Sequence, residues 1–276
     1  MKCCITILVH KNYIGKIQNI LNNLNEFFSP NNPNVDIIFF IEKNCIEYVP
    51  TNLNYNGGKI IFYHLDNFEH KNLKNYNQIP EKVFWFDIGY RMMCKFFAGD
   101  IFTILNNLGY DYSIRLDTDS RFYAPIRNLF DEFISLDMEY GYISIYNECN
   151  ELCANLSCEI KKYILNNNLK FNKNVIIDNL LDTNLAYYNN FEMLKTKTFF
   201  SENHLNLFKY LNEISDGFLK YRWGDSLFRF KYVQLFIPNH KIYYFGNLSY
   251  FHKSDLKNKP FILHDWNFNE LFKKLL

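Results

Sequence analysis

The chain has 276 residues, 48% apolar and 19% aromatic, with 30 Lys and Arg against 29 Asp and Glu. That apolar content excludes general disorder, and the length allows one large α/β domain or two small ones. A formal net charge of +1, with lysines dispersed, removes the electrostatic case for nucleic acid or an anionic membrane as partner.

The start, from Met1 to His10, is apolar but short and lacks a small-residue cleavage site, so residues 5–9 read as a strand rather than a secretory leader. Ile17, Ile20, Leu21, Leu24 and Phe28 recur at helical spacing within 14–28, and Ser29-Pro30 with Pro33 stops that helix. Runs at 35–41 and 60–64 are continuously apolar, as in strands buried on both faces. This alternation predicts βαβ units and a mainly parallel sheet flanked by helices. Residues 65–82 are polar and irregular, a loop or flap. A long helix is predicted over 83–108, with Met93, Phe97, Ile101, Ile104 and Leu108 on one stripe and Gly109 as terminator. A strand at 112–116 then runs into Asp117-Thr118-Asp119.

A second half begins near Gly141. It reads as a strand over 142–146, an insertion with a short helix over 147–174, mainly helical patterns from 182 (202–214 and 226–236 among them), and a late strand over 241–245. With no repeat and no Gly/Ser linker, the expectation is a single domain over 1–276, divided into a first half, 1–140, and an elaborated second half, 141–276. No run is long enough to span a bilayer, so no transmembrane segment is expected. Seven cysteines without a leader predict reduced thiols in the cytoplasm. Cys149, Cys153 and Cys158 match no standard zinc spacing, and the sequons at Asn155 and Asn247 carry no weight without secretion.

The sharpest chemistry is Arg115-Leu116-Asp117-Thr118-Asp119. In open α/β sheets ligands gather at the carboxyl ends of strands. Two carboxylates at i and i+2 there can face one hard divalent cation bridging a diphosphate. An ordinary Asp-rich turn has the same spacing, because Asp bonds its own backbone.

Five blocks, this segment among them, narrow the choice. Tyr90-Arg91-Met92-Met93-Cys94-Lys95-Phe96, the segment from Arg115 to Tyr123, Asn184 to Glu192, Tyr221-Arg222-Trp223-Gly224-Asp225, and Phe245 to His252 occur in this order. Together they resemble the yeast-type α-1,2-mannosyltransferases, glycosyltransferase family 15, over roughly residues 83 to 255. The resemblance implies a GT-A-like nucleotide-sugar-binding fold and a retaining transfer of mannose from GDP-mannose to a glycan or glycoconjugate hydroxyl. It implies Mn2+ or another divalent cation, held by Asp117, Asp119 and His252. Tyr90 and Arg91 would lie towards the nucleotide diphosphate, and Arg115 would pair with Asp117 or with phosphate. Glu192 matches the family glutamate near the anomeric carbon, as nucleophile or as stabiliser of an oxocarbenium-like state. A front-face route stays open beside it.

Each residue has a plainer reading too. Glu192 would be a solvent-facing helix residue, His252 a surface residue, and Asp225 a helix N-cap that could also contact a sugar hydroxyl. Trp85, Tyr187, Tyr188, Trp223 and Tyr250 are candidate sugar-stacking rings, though most aromatics must be core. The rivals are the same fold with a UDP-linked donor, a non-catalytic nucleotide- or sugar-binding module, and a nucleotidyl- or phosphoryl-transfer enzyme. The last would want a Gly-rich phosphate loop, which Gly57-Gly58 does not supply. Acceptor identity and oligomeric state are not legible.

Overall fold

The computed structural model describes residues 1–65, 88–153, 155–213 and 216–252. Its strands are β1 (Cys3–Val9), β2 (Asp36–Glu42), β3 (Ile60–Leu65), β4 (Tyr112–Leu116), β5 (Ser120–Phe122), β6 (Tyr140–Tyr142), β7 (Ile145–Asn147), β8 (Leu185–Tyr187), β9 (Phe191–Lys195), β10 (Ile242–Tyr244) and β11 (Tyr250–His252). Seven of them form one sheet in the order β10-β6-β9-β4-β1-β2-β3. β9 runs antiparallel to β4 and β6, and the remaining neighbours are parallel. The fold is therefore the mixed α/β, mainly parallel arrangement that the apolar runs predict, and the sheet takes strands from both halves of the chain.

Alternation along the strands feeds two cores. On β2, Ile38 and Phe40 join a cluster with Phe96, Phe102 and Phe228, whereas Ile37, Phe39 and Ile41 join one with Ile20, Leu24 and Phe133. The first face is covered by helices Ile101–Asn107, Glu202–Glu213 and Asp225–Phe236, the second by Ile17–Phe27 and Leu129–Ser135. Among the described residues no helix is long and apolar enough to cross a membrane.

The departures from expectation are informative. The helix placed over 14–28 opens as a 3-10 turn, Lys11–Lys16, and becomes α-helical at Ile17. The long helix over 83–108 is interrupted: Ile88–Lys95 passes through a π turn, Phe96–Asp100, before Ile101–Asn107. Gly109 does terminate it, at φ +73°, with Tyr110 N–H donating to Leu105 O at 3.0 Å. Residues 66–87, including most of the expected loop and Trp85, lie outside the described residues. The strand expected at 142–146 is two strands, β6 and β7, separated by Ile143 and Ser144.

The largest correction falls after residue 182, where the helical pattern hid β8 and β9. Phe191, Met193 and Leu194 are buried beside a buried Glu192, so the run carries neither clean alternation nor an unbroken apolar stretch.

Lys231 shows how the helical layer is locked together. Fully buried on helix Asp225–Phe236, its ammonium donates to Leu180 O at 2.6 Å, Leu181 O at 3.3 Å and the Thr183 carbonyl. These carbonyls lie in and just past the last turn of helix Ile177–Asp182, where Leu180 O also accepts from Thr183 Oγ1 at 2.9 Å and Leu181 O from Ser157 Oγ at 2.6 Å. Replacing Lys231 by Met should destabilise the fold by about 2 kcal/mol, read by urea unfolding, because three carbonyls lose a donor that ties two helices together. Burial pulls the Lys231 pKa from 10.5 down to about 7, against Cys153 and Asp182. Between those values the unfolded chain holds a proton that the folded chain has released. Native stability should therefore gain on Lys231→Met as pH rises from about 7 towards 10.5.

Candidate active site

The Asp117-Thr118-Asp119 segment is a tight turn leaving β4. Ser120 N–H donates to Asp117 O at 3.0 Å, and Asp117 N–H donates to Ser120 Oγ at 3.1 Å. The chain returns as β5, which pairs antiparallel with β11 so that His252 stands opposite Ser120. Tyr250 pins the hairpin-like pair, its hydroxyl 2.6 Å from Ser120 Oγ and donating to Asn190 O at 3.0 Å. His252 Nε2 thereby comes 2.8 Å from Asp119 Oδ1 and 3.7 Å from Asp117 Oδ2.

These donors suit a divalent cation. The three candidate ligand atoms lie within 4.8 Å of one another. Neighbouring ligands on bonds of roughly 2.2 Å at right angles are about 3 Å apart, the scale of the separations seen here. Two carboxylates and one imidazole match Mn2+ in hardness. Burial pushes the Asp117 carboxyl up, with Arg115 and His252 opposing. Among the described residues this is the group of three His, Cys, Asp or Glu side chains that converges; Cys149, Cys153 and Cys158 do not join one.

Behind the turn lies a buried charge network. Arg115 on β4 faces Glu192 on β9 as a cross-strand pair. Its guanidinium bonds Asp225, lies 3.3 Å from Asp117 Oδ1 and 4.0 Å from Glu192 Oε1, and packs 3.6 Å from the centre of the Phe97 ring. Burial alone would lower the Arg115 pKa; Asp225, Asp117 and Glu192 more than reverse this and raise it. Asp225 also accepts from Asn189 Nδ2 at 2.6 Å. Glu192 accepts from Tyr140 Oη and from Arg229 Nε, each at 3.1 Å. Arg229 in turn donates to Phe97 O at 2.7 Å, a carbonyl in the π turn. The helix irregularity thus serves the site, presenting a carbonyl to one arginine and a ring to the other. Burial pushes the Glu192 carboxyl up, while Arg229 and Arg115 pull it down.

Two lobes of one cleft open onto these groups. The larger, about 440 Å³, runs from Leu8, Val9, His10, Tyr13 and Glu42 past Tyr90, Met93 and Phe97 to Asp117 and Asp119. The smaller, about 240 Å³, is lined by Arg115, Tyr146, Glu148, Tyr188, Asn189, Asn190, Arg222, Asp225 and His252. They share Tyr90, Met93 and Asp117.

Of the residues singled out from sequence, Tyr90, Arg115, Asp117, Asp119, Asp225 and His252 therefore meet at one cleft. Glu192 is 1% exposed and does not line either lobe; it meets them through Arg115. Arg91 lines neither lobe among the described residues. Its Nη1 donates to Leu219 O at 2.5 Å, tying helix Ile88–Lys95 to helix Gly217–Lys220. Asp225 is not the N-cap either: Gly224 holds that position, and Asp225 is the first helical residue. Glu192 lies on a central strand and His252 on β11, so neither the solvent-facing helix nor the surface reading applies. Trp223 and Tyr187 are core residues with no exposure, whereas Tyr188 lines the smaller lobe.

Sequence reasoning missed Arg222, Glu148, His10 and Glu42. Arg222 adopts φ +59°, a left-handed conformation costly for a non-glycine residue. There its guanidinium lies 4.8 Å over the Tyr90 ring and 3.7 Å from Glu148 Oε2. Its place in the Tyr221–Asp225 block pointed to it. Glu148 had no such marker, because only the turn after β7 brings it to the cleft.

Comparisons with known proteins bear on the family and the fold. Residues 2–265 match the family model described as glycolipid 2-alpha-mannosyltransferase. The Candida albicans protein named "Probable mannosyltransferase MNT3" is 28% identical over 182 residues, 65% of this chain and 47% of that protein. The chain thus spans about half the length of the curated relatives it matches. The Saccharomyces cerevisiae mannosyltransferase Ktr4p, solved with GDP, superposes with a TM-score of 0.76 at 20% identity, covering 91% of this chain and 71% of that one. Core-mannan synthase A of Aspergillus fumigatus, in its Mn/GDP form, gives 0.73 at 17% identity, covering 92% and 75%.

Proposed function

This chain belongs to the glycolipid 2-alpha-mannosyltransferase family, and from that premise we propose that it transfers mannose from GDP-mannose to a hydroxyl of a glycan or glycoconjugate, with retention of configuration. The observation that carries the reading is the convergence of Asp117, Asp119 and His252 at the junction of two lobes. The larger lobe takes the nucleotide, and the smaller takes the mannose and the incoming hydroxyl. A divalent cation such as Mn2+, when held by these three side chains, would neutralise charge developing on the leaving GDP.

The chain's own residues do the rest. Arg115, fixed by Asp225 and Asp117, presents a permanent positive charge beside the diphosphate. Tyr90 stands where the lobes meet and orients the donor between them. Asp225 is the carboxylate that the smaller lobe presents to a sugar hydroxyl or to the reacting carbon. Glu192 shares Arg115 with it, supplying the second negative charge on the side where an oxocarbenium-like state develops. Tyr188 offers an apolar ring face to the sugar.

A thermal-shift panel of GDP, UDP and CMP, each with and without Mn2+, tests the reading. GDP should raise the melting temperature only when Mn2+ is present, by an amount equivalent to about 2.7 kcal/mol at a hundredfold excess over Kd. No shift with any nucleotide would overturn the assignment, and a metal-dependent shift with UDP alone would change the donor.

A further inference from the structure

The polar groups of the larger lobe sit at opposite ends. Asp117 and Asp119 follow β4; His10 follows β1, and Glu42 ends β2. Between them the walls are mainly apolar, from Leu8, Val9, Met93 and Phe97. β4, β1 and β2 are consecutive in the sheet, so the two ends are two strand spacings apart, roughly 10 Å. That is the reach of a nucleotide from its diphosphate to its base. Given a diphosphate on the metal side, the base lies at Glu42.

Glu42 is equipped to read it. It is half-buried, and among the described residues its carboxylate has one polar contact, the Cys45 thiol at 3.9 Å. It caps no N–H of the 3-10 turn it precedes and forms no ion pair among the described residues. Two acceptor oxygens are thus left facing a largely apolar lobe, an arrangement that favours a ligand with two adjacent donors. Next to it, His10 Nδ1 accepts from Asn12 N–H at 3.3 Å, which leaves the ring proton of the neutral imidazole on Nε2 as a donor.

We propose that Glu42 is the base-reading residue of the donor site, its two carboxylate oxygens accepting guanine N1–H and the 2-amino group. His10 Nε2–H complements the guanine O6. This rests on the nucleotide-sugar reading above and adds to it the chemical ground for guanine. Hypoxanthine lacks the 2-amino donor. Uracil offers one imide N–H flanked by carbonyl oxygens that repel the second carboxylate oxygen. Buried, charge-assisted pairs of this kind discriminate strongly, because a mismatched base leaves an acceptor unpaired.

Calorimetric titration of the full chain with GDP, IDP and UDP in saturating Mn2+ tests this, using wild type, Glu42→Gln and Glu42→Ala. Wild type should bind GDP at least tenfold tighter than IDP, and IDP tighter than UDP. Glu42→Ala should bring GDP to the IDP level. Glu42→Gln, whose amide pairs an N–H with an adjacent carbonyl, should weaken GDP and strengthen UDP. Melting of each variant without nucleotide establishes that it is folded; because Glu42 is at the cleft edge, two different replacements guard against loss of one. Unchanged GDP-to-IDP ratios in folded variants would overturn the role of Glu42 while leaving the transferase reading intact. A wild-type chain that binds none of the three would overturn both.

Discussion

Asp117→Ala should abolish Mn2+-dependent nucleotide binding while leaving the fold nearly as stable as wild type. Asp117 is the one candidate metal ligand that both lobes share, and without it an ion keeps only Asp119 and His252. Those two lie close together, so they cannot enclose an ion between the lobes as three converging donors do. The fold should tolerate the change because the side chain keeps 28% of its exposure and Arg115 retains Asp225 and Glu192 as partners. The expected fall in kcat/KM is at least ~10³-fold, the scale of removing a principal electrostatic group from a transition state. Titration with GDP and Mn2+ alongside thermal melting separates the two effects. Normal metal-dependent binding by Asp117→Ala would mean that the metal site lies elsewhere.

Arg229→Met should cost about 3–5 kcal/mol, the price of leaving a buried carboxylate without its partner. Arg229 has no exposure and is enclosed by the Phe102 and Phe199 rings at 4.7 and 4.6 Å. Its loss leaves Glu192 with Tyr140 and the more distant Arg115. The double change Arg229→Met with Glu192→Gln removes both charges and should recover most of the stability without recovering transfer. Urea unfolding of the two single variants and the double variant measures the coupling. Should the double variant be as unstable as Arg229→Met, the loss is one of packing and not of charge.

Acidification gives this pair a separate signature. Burial already raises the Glu192 pKa above 4.5 in the folded chain. Between 4.5 and the raised value the folded chain holds a proton that the unfolded chain has released, so stability falls as pH rises across that interval. Removing Arg229 takes away the largest opposing influence and widens the interval upwards. Arg229→Met should therefore regain stability relative to wild type on going from neutral to mildly acidic pH, and Glu192→Gln should not.

Much of the site was legible because its parts are local. Asp117 and Asp119 share one turn, and Arg115 stands two residues before it at the end of a strand whose apolar run is unmistakable. Tyr90 and Asp225 sit in blocks whose order alone suggested the family. What escaped was the placement of residues whose local context argues the other way. Glu192 lies in a short strand with no alternation, flanked by helical patterns, and its burial is tolerated only because Arg229 arrives from 37 positions further along the chain. Arg91 sits in a matching block, yet its guanidinium bonds the Leu219 carbonyl and lines neither lobe, a matter of packing that the block does not encode.

By itself, then, the sequence determined the sheet-forming runs of β1 to β4, the helix that ends at Gly109, the strand-end carboxylates and the family to which the chain belongs. Each depends on spacing within a few residues, or on ordered blocks that need no contact to be recognised. Only the tertiary structure decided that β9 enters the sheet antiparallel between β4 and β6, that His252 pairs across β5 to reach Asp119, and that Glu42 lines the same lobe as Asp117 and Asp119. Those outcomes depend on hydrogen-bond register and side-chain packing between segments up to 135 positions apart, as Asp117 and His252 are. Local propensity has no access to interactions at that range.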